Sequence, residues 1–240
     1  MRSRRLPLAL GLAVALVSGC AADGARRAGD PVTREEAVVL ADLLQRNHQR
    51  GGAGFVVTAP YRDDVLLTLS GEIDFEGQTG RADAVTTFDD DRPDRTLTLV
   101  FTAEDVWFAG VPGVAGYLRR PVVTDDGAGP PRLLDVVVQL LLNLTARTGD
   151  DPEDFLDGDH TWQGRRSIDS RLTTVFGLDE GRRVAVAAAD DLLTQYAAPV
   201  AGFDVTVTLA DHGPRQIDLP PDAETTNAAD DPEIAAALGL

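Results

Sequence analysis

The chain has 240 residues, 43% hydrophobic and 25% charged, enough apolar material for one sizeable core and poorly suited to a disordered chain or an integral membrane bundle. All 22 basic residues are arginine and the formal charge is −17, so the surface repels phosphate backbones. No arginine stripe is long enough to neutralise several phosphates together, and nucleic acid is not an expected partner.

The chain opens with a basic Met1 to Arg5, continues with the apolar run Leu6 to Val17, and then reads Ser18-Gly19-Cys20-Ala21. This is the layout of an export signal with a small-residue cleavage site. Pro7 stands where a twin-arginine signal wants phenylalanine, so the Sec route is favoured. As a helix the apolar run rises about 18 Å, short of a hydrocarbon core of roughly 30 Å, so a permanent transmembrane helix is disfavoured. Leu16-Val-Ser-Gly-Cys20 resembles the lipobox of bacterial lipoproteins, with Val17 in place of the commoner leucine. Cys20 is the sole cysteine, so an internal disulfide and a cysteine-rich metal site are both excluded. The lipobox resemblance implies that Cys20 is acylated and becomes the mature N-terminus. Two or more acyl chains, at about 0.8 kcal/mol per buried methylene, would hold the protein on the outer face of the cytoplasmic membrane.

Ala21 to Pro31 is small and polar, a flexible tether. Thr33 with Glu36 then forms a capping box, and Ala37, Leu40, Ala41 and Leu44 recur at helical spacing until Gly51-Gly52 stop the run. From Phe55 to Phe108 the period changes to two. Val65, Leu67, Leu69, Ile73 and Phe75 share one face of a long strand, and Leu97, Leu99 and Phe101 repeat the pattern over Arg95 to Thr102. The acidic Asp89 to Asp94 stretch reads as the turn before that strand, and Glu104 to Gly110 as a further short strand.

Pro130-Pro131 can start a helix over Leu133 to Leu144, whose polar residues Asp135, Gln139 and Asn143 are four apart. One narrow stripe is therefore polar and most of the circumference apolar, which requires apolar neighbours on more than one side. The helix is expected to end near Gly149, and Pro152 to Leu156 to add a helical turn. Alternation returns with Trp162, Ile168, Leu172 and Phe176 on one parity, then in Arg183 to Ala187, Leu192 to Ala197 and Phe203 to Leu209. Ile217 to Leu219 looks like a closing extended segment. Strands interrupted by helices without regular βαβ alternation predict an α+β fold with one mainly antiparallel sheet.

In this order of elements, and in the short segments Leu69-Ser-Gly-Glu72, Asp105 to Gly113 and Val205 to Gly213, the chain resembles the LppX/LprG/LprA group of actinobacterial lipoproteins, over roughly Thr33 to Pro221. The absence of lysine would suit a high-GC actinobacterium. The resemblance implies a strongly curved, mainly antiparallel sheet, a half-barrel, with helices covering its concave apolar face. That is also the fold of the periplasmic lipoprotein carriers of Gram-negative bacteria. It implies a lipid or glycolipid ligand held by its acyl chains, a carrier or chaperone role in the envelope, and an envelope transporter as a further candidate partner. The expected organisation is a signal peptide over 1–19, a lipidated tether over 20–32, the half-barrel over 33–221, and an acidic tail over 222–240, with a short helix near 231–238.

Parity and periodicity then nominate cavity residues. These are Leu40, Leu44, Phe55, Val57, Leu67, Leu69, Ile73, Leu97, Leu99 and Phe101 from the first half. The second half adds Leu134, Val137, Val138, Leu141, Leu142, Ile168, Leu172, Val205 and Val207. Trp107 and Trp162 are candidates for the cavity mouth, where an indole has one wet end, although simple packing is the commoner role. An ordinary solid core would give the same alternation. In that case the chain would be a tethered interaction module whose acidic surface engages a basic or cell-wall-associated protein.

No cofactor, metal or catalytic residue is expected. The sequence has no Gly-x-Ser-x-Gly elbow, no His-Glu-x-x-His and no phosphate-binding glycine loop. The nearest constellation, Asp157, Asp159 and His160 with Ser167 and Ser170 downstream, has the wrong spacing in an extended segment. Asp89, Asp90, Asp91 and Asp94 lack the spacing of a calcium loop, and His48 and His212 are isolated.

Overall fold

The computed structural model describes residues 26–62, 64–123, 132–200, 203–231 and 233. The expected signal peptide, Cys20, residues 21–25 of the tether, the Pro130-Pro131 helix start and most of the 231–238 segment lie outside the described residues.

Helix α1 (Arg34–Ala41) begins at the expected capping box: the Thr33 hydroxyl accepts from the Glu36 amide, and the Glu36 carboxylate accepts from the Thr33 amide. Asp42 bends the chain into α2 (Leu43–Arg50), which stops at Gly51 with φ of 84°. A run of antiparallel strands follows: β2 (Gly52–Arg62), β3 (Val65–Asp74), β4 (Thr79–Phe88), β5 (Arg95–Thr102), β6 (Asp105–Ala109) and β7 (Tyr117–Pro121). Helix α3 (Leu133–Leu142) interrupts them. A 3-10 turn (Pro152–Phe155) then leads into β8 (Thr161–Ile168), β9 (Arg171–Gly177), β10 (Arg183–Ala187), β11 (Leu193–Val200) and β12 (Phe203–Ala210).

Among the described residues these strands form one open sheet, in which β12 pairs with β2 and so joins the two halves. The short β1 (Asp30–Pro31) pairs with β8 at one edge, and β13 (Thr225–Asn227) pairs parallel with β7 at the other. The acidic tail therefore contributes to the fold: residues 225–227 cover the free edge of β7, and Ala228 is buried in the core.

Register defines the inner face. One row of directly opposed residues runs Trp162, Phe176, Val184, Tyr196, Val207, Val57, Leu69, Ala84 and Leu97 across nine strands. A second runs Leu209, Phe55, Gly71, Ala82, Leu99, Phe108 and Leu118. A third runs Ala53, Ile73, Gly80, Phe101, Val106 and Arg120. Inner residues from both halves of the sheet, with those of all three α-helices, fall in one hydrophobic cluster.

The sheet must curl to do this. Strands β2 and β5 are three spacings apart, roughly 14 Å in a flat sheet, yet the rings of Phe55 and Phe101 are 6.4 Å apart. Between them β3 contributes Gly71 beside Ile73, and β4 contributes Gly80, Ala82 and Ala84, small residues that leave room for the two rings to lean together. At Gly80 the space is already taken: a Cβ there would stand 2.0 Å from the Phe101 ring. At Gly71 it would stand 1.9 Å from the Arg81 carbonyl oxygen.

Helix α3 lies on this inner face with Val137, Val138 and Leu141 fully buried. A buried ion pair fastens its first turn: Arg120 of β7 and Asp135 approach to 2.6 Å, with side chains 5% and 0% exposed. Asp135 also accepts from the Val123 amide at 3.0 Å, and Arg120 donates to the Pro121 carbonyl at 2.9 Å. At the other end of α3 the Leu144 carbonyl accepts from the buried Asn47 amide group at 2.8 Å, tying α2 to the helix terminus.

Two outcomes are expected. Gly80→Ala should destabilise the fold by about 1–3 kcal/mol through overpacking, with Gly80→Ala/Phe101→Leu recovering part of the loss in urea unfolding. Arg120→Ala or Asp135→Ala should each cost about 3–5 kcal/mol because the surviving charge stays buried, and a matched apolar pair, Arg120→Met/Asp135→Leu, should be close to neutral by the same measurement.

Candidate functional site

The inner face carries a hollow at one side of the α3 packing. It has a volume of about 520 Å³ and lies where the C-terminal end of α3, the α1–α2 pair and the floor strands β10 and β11 come together. Its floor is Val184, Leu193 and Tyr196, and its helical walls are Leu40, Leu43, Leu44, Leu140 and Leu144. Leu178 and Phe155 complete the apolar lining from loops. The volume falls within the range of about 300–1,000 Å³ typical of small-molecule sites, and the lining follows the usual rule of an apolar interior with a few polar groups.

The hollow exists because the covering elements are short. Helices α1 and α2 have eight residues each, about 12 Å apiece, and bend at Asp42; α3 stops at Leu142. Hydrogen bonds hold these ends apart as well as together. The Ala146 amide donates to the Leu44 carbonyl at 3.1 Å, and the Asp150 amide to the Ala41 carbonyl at 3.0 Å, so the post-α3 loop is clamped beside the α1–α2 bend.

The polar lining residues lie toward solvent: Asn143, Asp150, Asp154 and Asp179 are exposed, and His160 and Arg182 partly so. Arg182 is ion-paired through Nη2 with Asp179, and its Nε also donates to the Asp179 carbonyl at 3.4 Å. Burial works against the Arg182 charge, but the hydrogen bond and charge of Asp179, together with Tyr196, outweigh it and raise its pKa. The ring of His160 lies 5.0 Å from that of Phe155, and its Nδ1 is 3.4 Å from Asp157. Ser167 and Ser170 are seven and ten residues further on, at the far end of the β8–β9 hairpin, so strand geometry separates them from His160 by about 20 Å. In the acidic turn before β5, Arg92 sits among the carboxylates, 2.8 Å from Asp90 and 3.6 Å from Asp64.

Of the nominated cavity residues, Leu40 and Leu44 line this hollow. Phe55, Val57, Leu69, Ile73, Leu99, Phe101, Val137, Val138, Leu141, Leu142, Val205 and Val207 are buried in the core cluster, with Leu67, Leu97 and Leu134 packed against it at partial exposure. They face inward as parity requires, but there the space is filled: Val137, Val138 and Leu141 of α3 are fully buried against the same cluster, and the Phe101 ring occupies the space over Gly80.

Ile168 departs from its expected face. A bulge between Trp162 and Gly164, where φ is 120°, shifts the parity, and Ile168 pairs with the outward Arg171. Leu172 keeps inward parity but is 55% exposed, beyond the cover of the helices. Residues 169 and 170, both at positive φ, make the turn that splits the expected continuous alternation into two strands.

The two indoles also separate. Trp162 is on the inner row with the Arg26 guanidinium 5.0 Å over its ring, while Trp107 is on the outer face, opposite Val100 and Arg119, with the Arg119 guanidinium 5.4 Å over its ring. Neither lines the hollow.

The residues that do form it were partly visible. Arg183 to Ala187 and Leu192 to Ala197 read as strands, but they are too short for parity alone to say which way Val184, Leu193 and Tyr196 point. The rim comes from loops separated by tens of residues, and only the tertiary fold assembles it.

No protein-family model matches the chain, and no curated protein matches it. Solved structures similar to it in fold include the LprF protein of Mycobacterium bovis, at 15% identity and a TM-score of 0.47, covering 79% of this chain and 99% of that one. The lipoprotein LppX of Mycobacterium tuberculosis has 11% identity and a TM-score of 0.47, covering 76% and 97%. The protein MucB has 12% identity and a TM-score of 0.38, covering 80% and 63%. The functional reading rests on the hollow itself rather than on these likenesses.

Filling the hollow from its floor offers a direct check. Leu193→Trp should abolish binding of apolar dyes such as a naphthalene sulfonate, with unfolding still cooperative, whereas Leu172→Trp, on the exposed end of β9, should leave dye binding within about twofold.

Proposed function

We propose that the protein is an envelope lipoprotein that binds an acyl chain in the hollow over β10 and β11 and serves as a carrier or chaperone for that lipid, without catalysing a reaction. The observation that carries this reading is the leucine-rich lining of a 520 Å³ hollow whose fully buried residues, Leu40, Leu43, Leu144, Val184 and Leu193, are all apolar. Transfer of a sixteen-carbon chain from water is worth on the order of 10 kcal/mol, so such a lining can hold a lipid with few specific polar contacts.

The leader supports a membrane location. Leu16 to Cys20 resembles a lipobox, and among the described residues no helix is long and apolar enough to cross a membrane. In this reading acylated Cys20 holds the chain on the extracytoplasmic face of the cytoplasmic membrane, and the tether gives the domain reach. The described chain begins at Arg26, which donates to the Pro31 carbonyl at 2.9 Å and pairs with Glu36, so the end of the tether is fastened to α1 beside β1. Burial pushes the Glu36 carboxyl up, but its bonds to Arg26 and the Thr33 amide outweigh this and hold it below the ordinary range.

The solid packing between α3 and β2 to β5 is what the interaction-module alternative expects of the whole core, and the hollow is what it does not expect. The deciding measurement is mass spectrometry of lipid extracted from the Cys20→Ser chain after detergent-free purification. Stoichiometric lipid is expected, reduced at least tenfold by Leu193→Trp. Preparations that stay empty, also after incubation with lipid dispersions, would overturn the carrier reading.

A further inference from the structure

The rim specifies which heads the hollow accepts. Its charges are Asp150, Asp154, Asp179 and Arg182, and they are not balanced. Arg182 is taken by Asp179. Asp150 and Asp154 flank the opening from the loop after α3 and the 3-10 turn; both are exposed, and neither has a cationic partner among the described residues. The nearest ion pair on that turn, Arg34 with Glu153 at 3.0 Å, uses the neighbouring carboxylate instead. Asn143 adds an exposed amide on the same rim, and Tyr196 of the floor is only partly buried.

We propose that the hollow takes the single chain of an amphiphile whose head donates hydrogen bonds, a hydroxyl-bearing or ammonium head, and rejects phosphate and carboxylate heads. This rests on the carrier reading and goes beyond it. The apolar lining sets the affinity for the chain without regard to the head. Selection then comes from the two exposed, unpaired carboxylates of the lining, against the background of a chain with a formal charge of −17. Carboxylates accept hydrogen bonds and cannot donate them, so hydroxyl and ammonium groups satisfy them, whereas an anionic head meets repulsion and finds Arg182 and Arg34 already paired. The volume sets chain number: about 520 Å³ suits one drug-sized ligand and is small for a multiply acylated lipid.

The test uses the Cys20→Ser chain and three probes with the same twelve-carbon tail, each below its micelle-forming concentration, titrated by calorimetry at low salt. Dodecylamine and dodecyl maltoside are expected to bind with one-to-one stoichiometry, and dodecyl phosphate at least tenfold more weakly than either. The amine-over-phosphate ratio should shrink severalfold in 0.5 M salt, because the rim carboxylates are exposed and screened. It should likewise fall at least fivefold in Asp150→Asn/Asp154→Asn. Phosphate binding as tight as maltoside binding would overturn this inference while leaving the carrier reading in place. Failure of all three probes to bind would overturn both. The salt series on the unsubstituted rim keeps the question answerable even if the double variant does not fold.

Discussion

The structure depends on one steric arrangement: small residues on the inner face of β3 and β4 beneath two leaning phenylalanines. Among the described residues, the thirteen strands of the open sheet present more inner surface than the three short helices can cover if it is flat. Curling the sheet removes much of that surface by bringing its own side chains into contact. Gly71, Gly80, Ala82 and Ala84 permit the curl, and Phe55 and Phe101 occupy the space it creates. What remains for α3 to cover is a trough of a width that one ten-residue helix can fill.

That division explains where the hollow lies. On the side of β2 to β7 the trough is filled by aromatic rings and by α3, which the Arg120–Asp135 pair anchors from below. On the side of β10 and β11 the floor carries Val184, Leu193 and Tyr196, and the cover is the bent α1–α2 pair and the end of α3. The two sides are coupled through Asn47 and the Leu44 and Ala41 carbonyls, which hold the loop after α3 against the helix bend.

Much of the fold was legible in the sequence because one-sided burial leaves a period. The capping box at Thr33, the stop at Gly51 and the strand over Arg95 to Thr102 appear where the residues place them. Strand β4 was less visible for a physical reason: its inner positions are Gly80, Ala82 and Ala84, so the strand that allows the curl carries little hydrophobic contrast. Strand β7 is obscured in a different way, since its inner residues Leu118 and Arg120 pair an apolar side chain with a charge that only a buried partner makes tolerable. The bulge at Gly164 moved Ile168 to the opposite face, and a parity count cannot see an inserted residue.

The sequence by itself determined the order of the helices and strand runs, the inner faces of β2, β3, β5 and β12, the expectation of an export signal and lipidated cysteine, and the presence of an apolar interior between sheet and helices. It could not decide whether that interior was filled. The same alternation of apolar residues is produced by side chains that meet and by side chains that stop short of one another, and the difference is set by sheet curvature and by where three short helices end. Only the tertiary structure placed the filled core over β2 to β5 and the hollow over β10 and β11, and only it brought Asp150, Asp154, His160, Asp179 and Arg182, from separate loops, into the lining of one hollow.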